Sequence, residues 1–246
     1  SASFSRFYGQ LCFTLFLVDM MTPLSELIPP VITIDGPSGS GKGTVGQCLA
    51  DYLQWHYLDS GALYRALAYL VLRDKIDLAN TATLVHLART MPVHFAKQNS
   101  AYHLMLAEED ITAQIRHESC SQLASKLASL GQVRESLLHH LRAFRQLPGL
   151  VTDGRDMGTI VFPDAQLKIF LVASAKERAK RRYEQLLAAG IHANIDKILQ
   201  DLEERDQRDQ NRTIAPLIPA TDAIVIDTTH LTITEVIERI KTHLCQ

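Results

Sequence analysis

The stretch VITIDGPSGSGK, residues 31–42, restricts the possible folds more than any other part of the sequence. Five residues of buried-strand type, Val31 to Asp35, run into a glycine-rich turn, and a helix pattern opens at Lys42 with Val45, Leu49 and Leu53 on one face. A strand that passes through G-x-x-x-x-G-K into a helix is the setting of a phosphate-binding loop. Gly36, Gly39 and Gly41 let backbone N–H groups turn inward without a Cβ clash, with Pro37, Ser38 and Ser40 between them. The helix start offers unpaired N–H groups and the positive end of its dipole. Lys42 adds a point charge for the β- and γ-phosphates. Gly43 occupies the position after the lysine and the hydroxyl comes one residue later, at Thr44. A side chain next to the lysine therefore cannot ligate magnesium. The expectation is Mg²⁺ held mainly by phosphates and waters, with Thr44 or a nearby carboxylate assisting and no direct protein cage.

Four further short apolar runs resemble the first: HYLD at 56–59, LVTD at 150–153, LKIFLV at 167–172 and AIVID at 223–227. Runs without alternation suit strands covered on both faces. Helix-period segments separate them, through Leu63, Leu67, Leu70 and Val71, and through Val133, Leu137, Leu138, Leu141 and Phe144. Thr232 with Glu235 three residues on has the spacing of a capping box for the last helix. This alternation predicts an α/β fold with a doubly wound, five-stranded parallel sheet. Two insertions interrupt it. Residues 74–148 carry a helix pattern near 80–90, β-like pieces at 92–96, 101–106 and 110–112, and two more helix patterns. Residues 174–212 mix 9 basic with 8 acidic residues, which predicts solvated helices that move against the body.

Charge and cysteine usage narrow the class. Of 246 residues, 25 are Lys or Arg and 27 are Asp or Glu, a net charge of −2 that argues against nucleic acid as a partner. Cys12, Cys48, Cys120 and Cys245 lie far apart and read as reduced thiols of a cytoplasmic protein. The apolar run LCFTLFLVDMM at 11–21 is shorter than the roughly 20 residues a membrane helix needs and carries Asp19, so no membrane partner is expected. Residues 1–29 read as an extension outside the fold, closed off by Pro29-Pro30. No long apolar surface stripe is evident, and a monomer is the default.

Two segments at strand ends bring further chemistry to the crevice edge of such a sheet. LDSGALYRA at 58–66 offers Ser60, either a helix cap or a site residue, then Tyr64 and Arg65; the arginine suits bidentate binding of an anion. VTDGRDMGTIVFPDA at 151–165 sets Asp153, Arg155 and Asp156 just past a buried strand, where packing alone is a poor reason for three charges. The ten histidines are scattered, and neither a Ser-His pair nor a metal-ligand cluster is evident. No N-K-x-D motif of a GTPase occurs.

GPSGSGKGT, LDSGALYRA, QVRESLLHHLRAFRQLPGLVTDGRDMGTIVFPDA and ERDQRDQNR together resemble bacterial-type cytidylate kinases, from Val31 to the C-terminus. The resemblance implies a P-loop nucleoside monophosphate kinase that moves the γ-phosphoryl of ATP to CMP or dCMP. It implies a core of 30–73, 149–173 and 213–246, a monophosphate-binding domain at 74–148 and a lid at 174–212. ATP would lie on Gly36 to Thr44, with lid arginines Arg181 and Arg182 near it. Ser60, Arg65, Arg134, Asp156 and Arg212 would surround the acceptor, with Tyr64 and Asp153 beside them. Ser125 and Asp156 match the readers of cytosine and sugar, and Asp209 matches a contact to the pentose hydroxyls. Arg155 and Arg205 would act with Lys42 on the phosphates. A kinase preferring UMP, and a nucleotide-sensing module without catalysis, are the alternatives.

Overall fold

The computed structural model describes residues 28–98 and 101–244. The N-terminal extension, apart from its last two residues, lies outside these, as do Cys12 and Cys245; Cys48 and Cys120 are free thiols. The central sheet is built from β1 (Val31–Asp35), β2 (His56–Asp59), β6 (Leu150–Gly154), β7 (Leu167–Val172) and β8 (Ile224–Asp227). The order is β2-β6-β1-β7-β8, and every pairing is parallel. This is the doubly wound five-stranded sheet expected from the five apolar runs, with β1 at its centre.

Successive side chains leave a strand on opposite faces, and two cores result. Ile32, Ile34, Tyr57, Val151, Ile169 and Leu171 face helices α1 (Lys42–Leu53) and α8 (Ile233–Leu244). Val31, Leu58 and Leu150 face the other way, onto α2 (Ser60–Arg73), α3 (Thr81–Thr90), α4 (Glu118–Leu127) and α5 (Gly131–Ala143). The first insertion also carries an antiparallel sheet of β3 (Val93–Gln98), β4 (Ala101–Leu106) and β5 (Glu109–Asp110). The second is a helix pair, α6 (Ala175–Ala188) and α7 (Ile195–Gln210).

Helix starts follow local chemistry. Thr232 and Glu235 form the reciprocal capping box before α8, with Glu235 accepting from the Thr232 amide at 2.8 Å. At α2 the cap is Asp59, whose carboxylate accepts the Ala62 N–H at 3.0 Å, and Ser60 is the first helical residue. The capping reading of Ser60 is thus corrected: the last residue of the strand turns back far enough to do the work itself. These two helices are less uniformly solvated than their composition suggests, because Arg178, Ala179, Leu202 and Asp209 are buried.

Candidate active site

The carboxyl ends of β1, β2 and β6 meet at one edge, and their register sets the site. Asp59 lies opposite Asp153, and Gly154 opposite Asp35. Three carboxylates thus converge where β1 turns into the glycine-rich loop.

Gly36 has φ +151°, and a Cβ there would stand 2.2 Å from the Leu171 carbonyl oxygen, so only glycine admits the chain at this point. Gly39 and Gly41 also have positive φ. Gly41 precedes α1 in the left-handed region without a side-chain cap, whereas α2, α3, α6, α7 and α8 each begin under one. The α1 N–H groups are left for an anion. The loop is braced from behind: Arg178 donates to the Ser38 carbonyl at 3.1 Å and pairs with Asp206 at 2.6 Å, and Thr228 donates to the Ser40 carbonyl at 3.0 Å. Ser40 Oγ is buried without a partner among the described residues.

Lys42 is buried and donates to the Pro37 carbonyl at 2.9 Å. Burial, with Arg155 next, pulls its ammonium down to about 7, while Asp153 and Asp59 oppose the fall. Burial and the adjacent Asp59 push Asp153 up to about 7. Asp35, lifted to about 6 chiefly by burial, spends its oxygens on the Met157 and Gly158 amides at 2.9 and 2.8 Å, in the π-type turn Met157–Val161.

Across the crevice stands a ring of guanidinium groups. Arg65, on α2, pairs with Asp59 at 2.7 Å. Arg134, on α5, pairs with buried Asp156 and lies over the Tyr64 ring, 5.8 Å from its centroid; burial keeps that phenol protonated, pushed up to about 12. Arg155 pairs with Asp209 on α7 at 2.9 Å, and Arg212 holds the other Asp209 oxygen. Burial alone would raise the Asp209 carboxyl, but Arg155, Arg212 and Arg205 hold it below the usual carboxylate range. Arg205 makes no ion pair among the described residues, and its buried Nε lacks a hydrogen-bond partner. Burial and neighbouring Arg155 pull its guanidinium down to about 10. Arg212 Nε and Ser125 Oγ, on α4, are likewise buried and unpartnered. Lys42, Arg65, Arg134, Arg155, Arg205 and Arg212 stand against five carboxylates, Asp35, Asp59, Asp153, Asp156 and Asp209. A crevice with one cation in excess and orphaned buried donors is built for an anion.

Ser60, Tyr64, Arg65, Arg134, Asp153, Arg155, Asp156, Arg205, Asp209 and Arg212 thus come together, while Ser125 lies on α4 with its hydroxyl buried. Arg181 sits apart, donating to the Thr228 carbonyl at 2.6 Å, and Arg182 beside it is half-buried. Sequence reasoning missed Asp59, whose signal was an acid six residues before Arg65. It also missed Arg178, the first arginine of KERAKRR. Among the described residues no group of three or more His, Cys, Asp or Glu could hold a metal ion. The Thr44 hydroxyl lies exposed in the first turn of α1. That donor set fits a divalent ion carried mainly by phosphate and water oxygens.

A glycine loop entering an uncapped helix at the switch point of a parallel sheet, with a buried lysine, defines a nucleotide-binding protein of the P-loop type. The model of the family described as cytidylate kinase matches residues 32–246. The cytidylate kinases of Shigella sonnei (strain Ss046) and Escherichia coli (strain K12 / DH10B) are each 52% identical over 212 residues, 86% of this chain and 93% of theirs. The chain belongs to the cytidylate kinase family. Among solved structures, a gluconokinase from Sinorhizobium meliloti 1021 overlays 88% of this chain and 92% of its own, at 15% identity and a TM-score of 0.40.

Proposed function

We propose that the protein transfers the γ-phosphoryl of ATP to CMP or dCMP, giving ADP and CDP or dCDP. The observation that carries this reading is Arg205, a half-buried arginine whose Nε is buried without a hydrogen-bond partner and which makes no ion pair among the described residues, beside Arg155 and Lys42 at the mouth of the phosphate loop. A second anion facing the first relieves all three.

In this reading Gly36 to Thr44 cradle the ATP phosphates through backbone N–H groups. Lys42, Arg155 and Arg205 neutralise charge on the moving phosphoryl, and incoming phosphate restores full protonation to the lysine. Arg65, Arg134 and Arg212 grip the monophosphate. Ser60, Tyr64, Ser125, Asp153, Asp156 and Asp209 shape the rest of the acceptor pocket, Ser125 and Asp156 towards cytosine and sugar and Asp209 towards the pentose. Thr44 would assist a Mg²⁺ ion held mainly by the ATP phosphates and waters, which when bound would offset phosphate charge. Residues 174–212 act as a lid whose Arg181 and Arg182 lie on the ATP side, 74–148 as the monophosphate-binding domain, and the remaining described segments as the core. Lid closure excludes water and so limits hydrolysis of the donor. We place the enzyme in the cytoplasm as a monomer; among the described residues no helix is long and apolar enough to cross a membrane.

Incubating the chain with ATP, Mg²⁺ and CMP, dCMP, UMP or AMP tests this. CMP and dCMP should yield ADP at least about tenfold faster than UMP and AMP. Equal rates on UMP would broaden the acceptor class to pyrimidine monophosphates. ADP no faster than with ATP alone would leave a nucleotide-binding module and sink the kinase reading.

A further inference from the structure

On β2 the alternation that sends Leu58 into one core sends Tyr57 into the other, beneath α1. The tyrosine is only 4% exposed. Its ring passes the first turns of α1 where that helix lacks Cβ atoms: a Cβ on Gly46 would stand 2.9 Å from the Tyr57 Cε2, and one on Gly43 3.7 Å from the hydroxyl. The ring also meets Tyr102 of β4, centroids 4.9 Å apart and planes at 57°. Tyr57 is thereby wedged between the phosphate-loop helix and the three-stranded sheet of the first insertion.

At the far end of the ring the hydroxyl donates to Asp153 Oδ1 at 2.5 Å. A buried phenol needs such a partner, but the partner is not an ordinary one. Asp153 lies opposite Asp59 in the strand register and within electrostatic reach of the Lys42 ammonium. A carboxylate between a like charge and a lysine is prone to turn away or to take up a proton. A donor of fixed reach, carried on a rigid strand, holds it in one orientation. Burial, with Asp153 and Asp59, keeps the phenol pKa well above its ordinary value, so the hydroxyl remains a donor.

We propose that Tyr57 is a positioning residue for phosphoryl transfer: its hydroxyl orients the Asp153 carboxylate beside Lys42, and the seat formed by Gly43, Gly46 and Tyr102 holds it in register. This rests on the kinase reading above. Tyr57 touches no reacting atom and acts through Asp153 alone.

The test compares the wild-type chain with Tyr57→Phe, Asp153→Ala and the double variant, using ATP, Mg²⁺ and CMP. Failure of the wild type to form CDP rejects the kinase reading itself. With an active wild type, Tyr57→Phe is expected to lower kcat about tenfold, with KM for ATP within about twofold. Its melting temperature should stay within about 4 °C of wild type. Adding Tyr57→Phe to Asp153→Ala should change kcat by less than about twofold, because the route through the carboxylate is already gone. An unchanged kcat in Tyr57→Phe overturns the proposal while leaving the kinase reading intact. So does a penalty that multiplies on top of that of Asp153→Ala, which marks general loosening. Should Asp153→Ala fail to fold, the split between kcat and KM in Tyr57→Phe, read with its melting temperature, decides.

Discussion

The phosphate loop and the guanidinium ring face each other across one crevice, yet they are made of different materials. The loop is nine consecutive residues, 36–44, offering backbone N–H groups and a single ammonium, with its side chains largely incidental. The ring is assembled from α2, α5, the turn after β6, and α7 with Arg212 two residues past its end. Each guanidinium but that of Arg205 is anchored to a carboxylate. Backbone donors are fixed by the fold and cost little to keep in place. Unpaired guanidinium groups are costly away from water, so the ring, Arg205 excepted, carries its own internal ion pairs. Function and stability should therefore separate cleanly at the loop and be entangled in the ring.

The largest effect expected from that difference is at Lys42. Lys42→Met should lower kcat by about a hundredfold or more. The melting temperature should not fall, because the ammonium is already held at a pKa of about 7 by burial among cations. A variant that loses stability along with turnover would contradict the separation claimed for the loop. In the ring, Arg65→Ala should cut kcat/KM for CMP about a hundredfold while leaving KM for ATP within about threefold. Unchanged CMP kinetics would remove Arg65 from the acceptor side. Arg134→Met should cost about 3 kcal/mol in denaturant unfolding besides weakening CMP, since it strands the Asp156 carboxylate in a dry pocket. A loss of CMP affinity without loss of stability would show that function and stability part company in the ring too.

The same contrast governs what could be read in advance. A contiguous motif carries its geometry with it, so strand, loop and helix were legible in residues 31–53, and all five core strands followed from short apolar runs. The ring was legible only through the family resemblance, because nothing local says that Arg134 on α5 will meet Asp156 after β6. Ser60 looked like the cap of α2 because serine commonly is one. The strand's own last residue took that place, since Asp59 is held by Arg65 one and a half turns on. Dense mixed charge in 174–212 suggested solvated helices throughout. Composition averages over a helix and cannot tell which face docks, and here Arg178 and Asp209 turn inward to the loop and the ring. Tyr57 read as one more strand residue, because its importance depends on a missing Cβ at Gly46, eleven positions earlier.

Two serines bring the comparison to its finest scale. Ser40 in the loop and Ser125 on α4 both bury a hydroxyl with no partner among the described residues. If the ring works through side chains, the Ser125 hydroxyl waits for the acceptor, and Ser125→Ala should raise KM for CMP about tenfold with kcat for saturating CMP nearly unchanged. If the loop works through its backbone, the Ser40 hydroxyl has no comparable duty. Ser40→Ala should then shift KM for ATP and kcat by less than about threefold, and unfolding free energy by less than about 0.5 kcal/mol, because no hydrogen bond is lost. The two substitutions delete the same atom from equally dry sites, so general effects of burial cancel between them. Steady-state kinetics on both variants decide it: a Ser40→Ala penalty as large as that of Ser125→Ala would mean that the cradle, too, depends on its side chains.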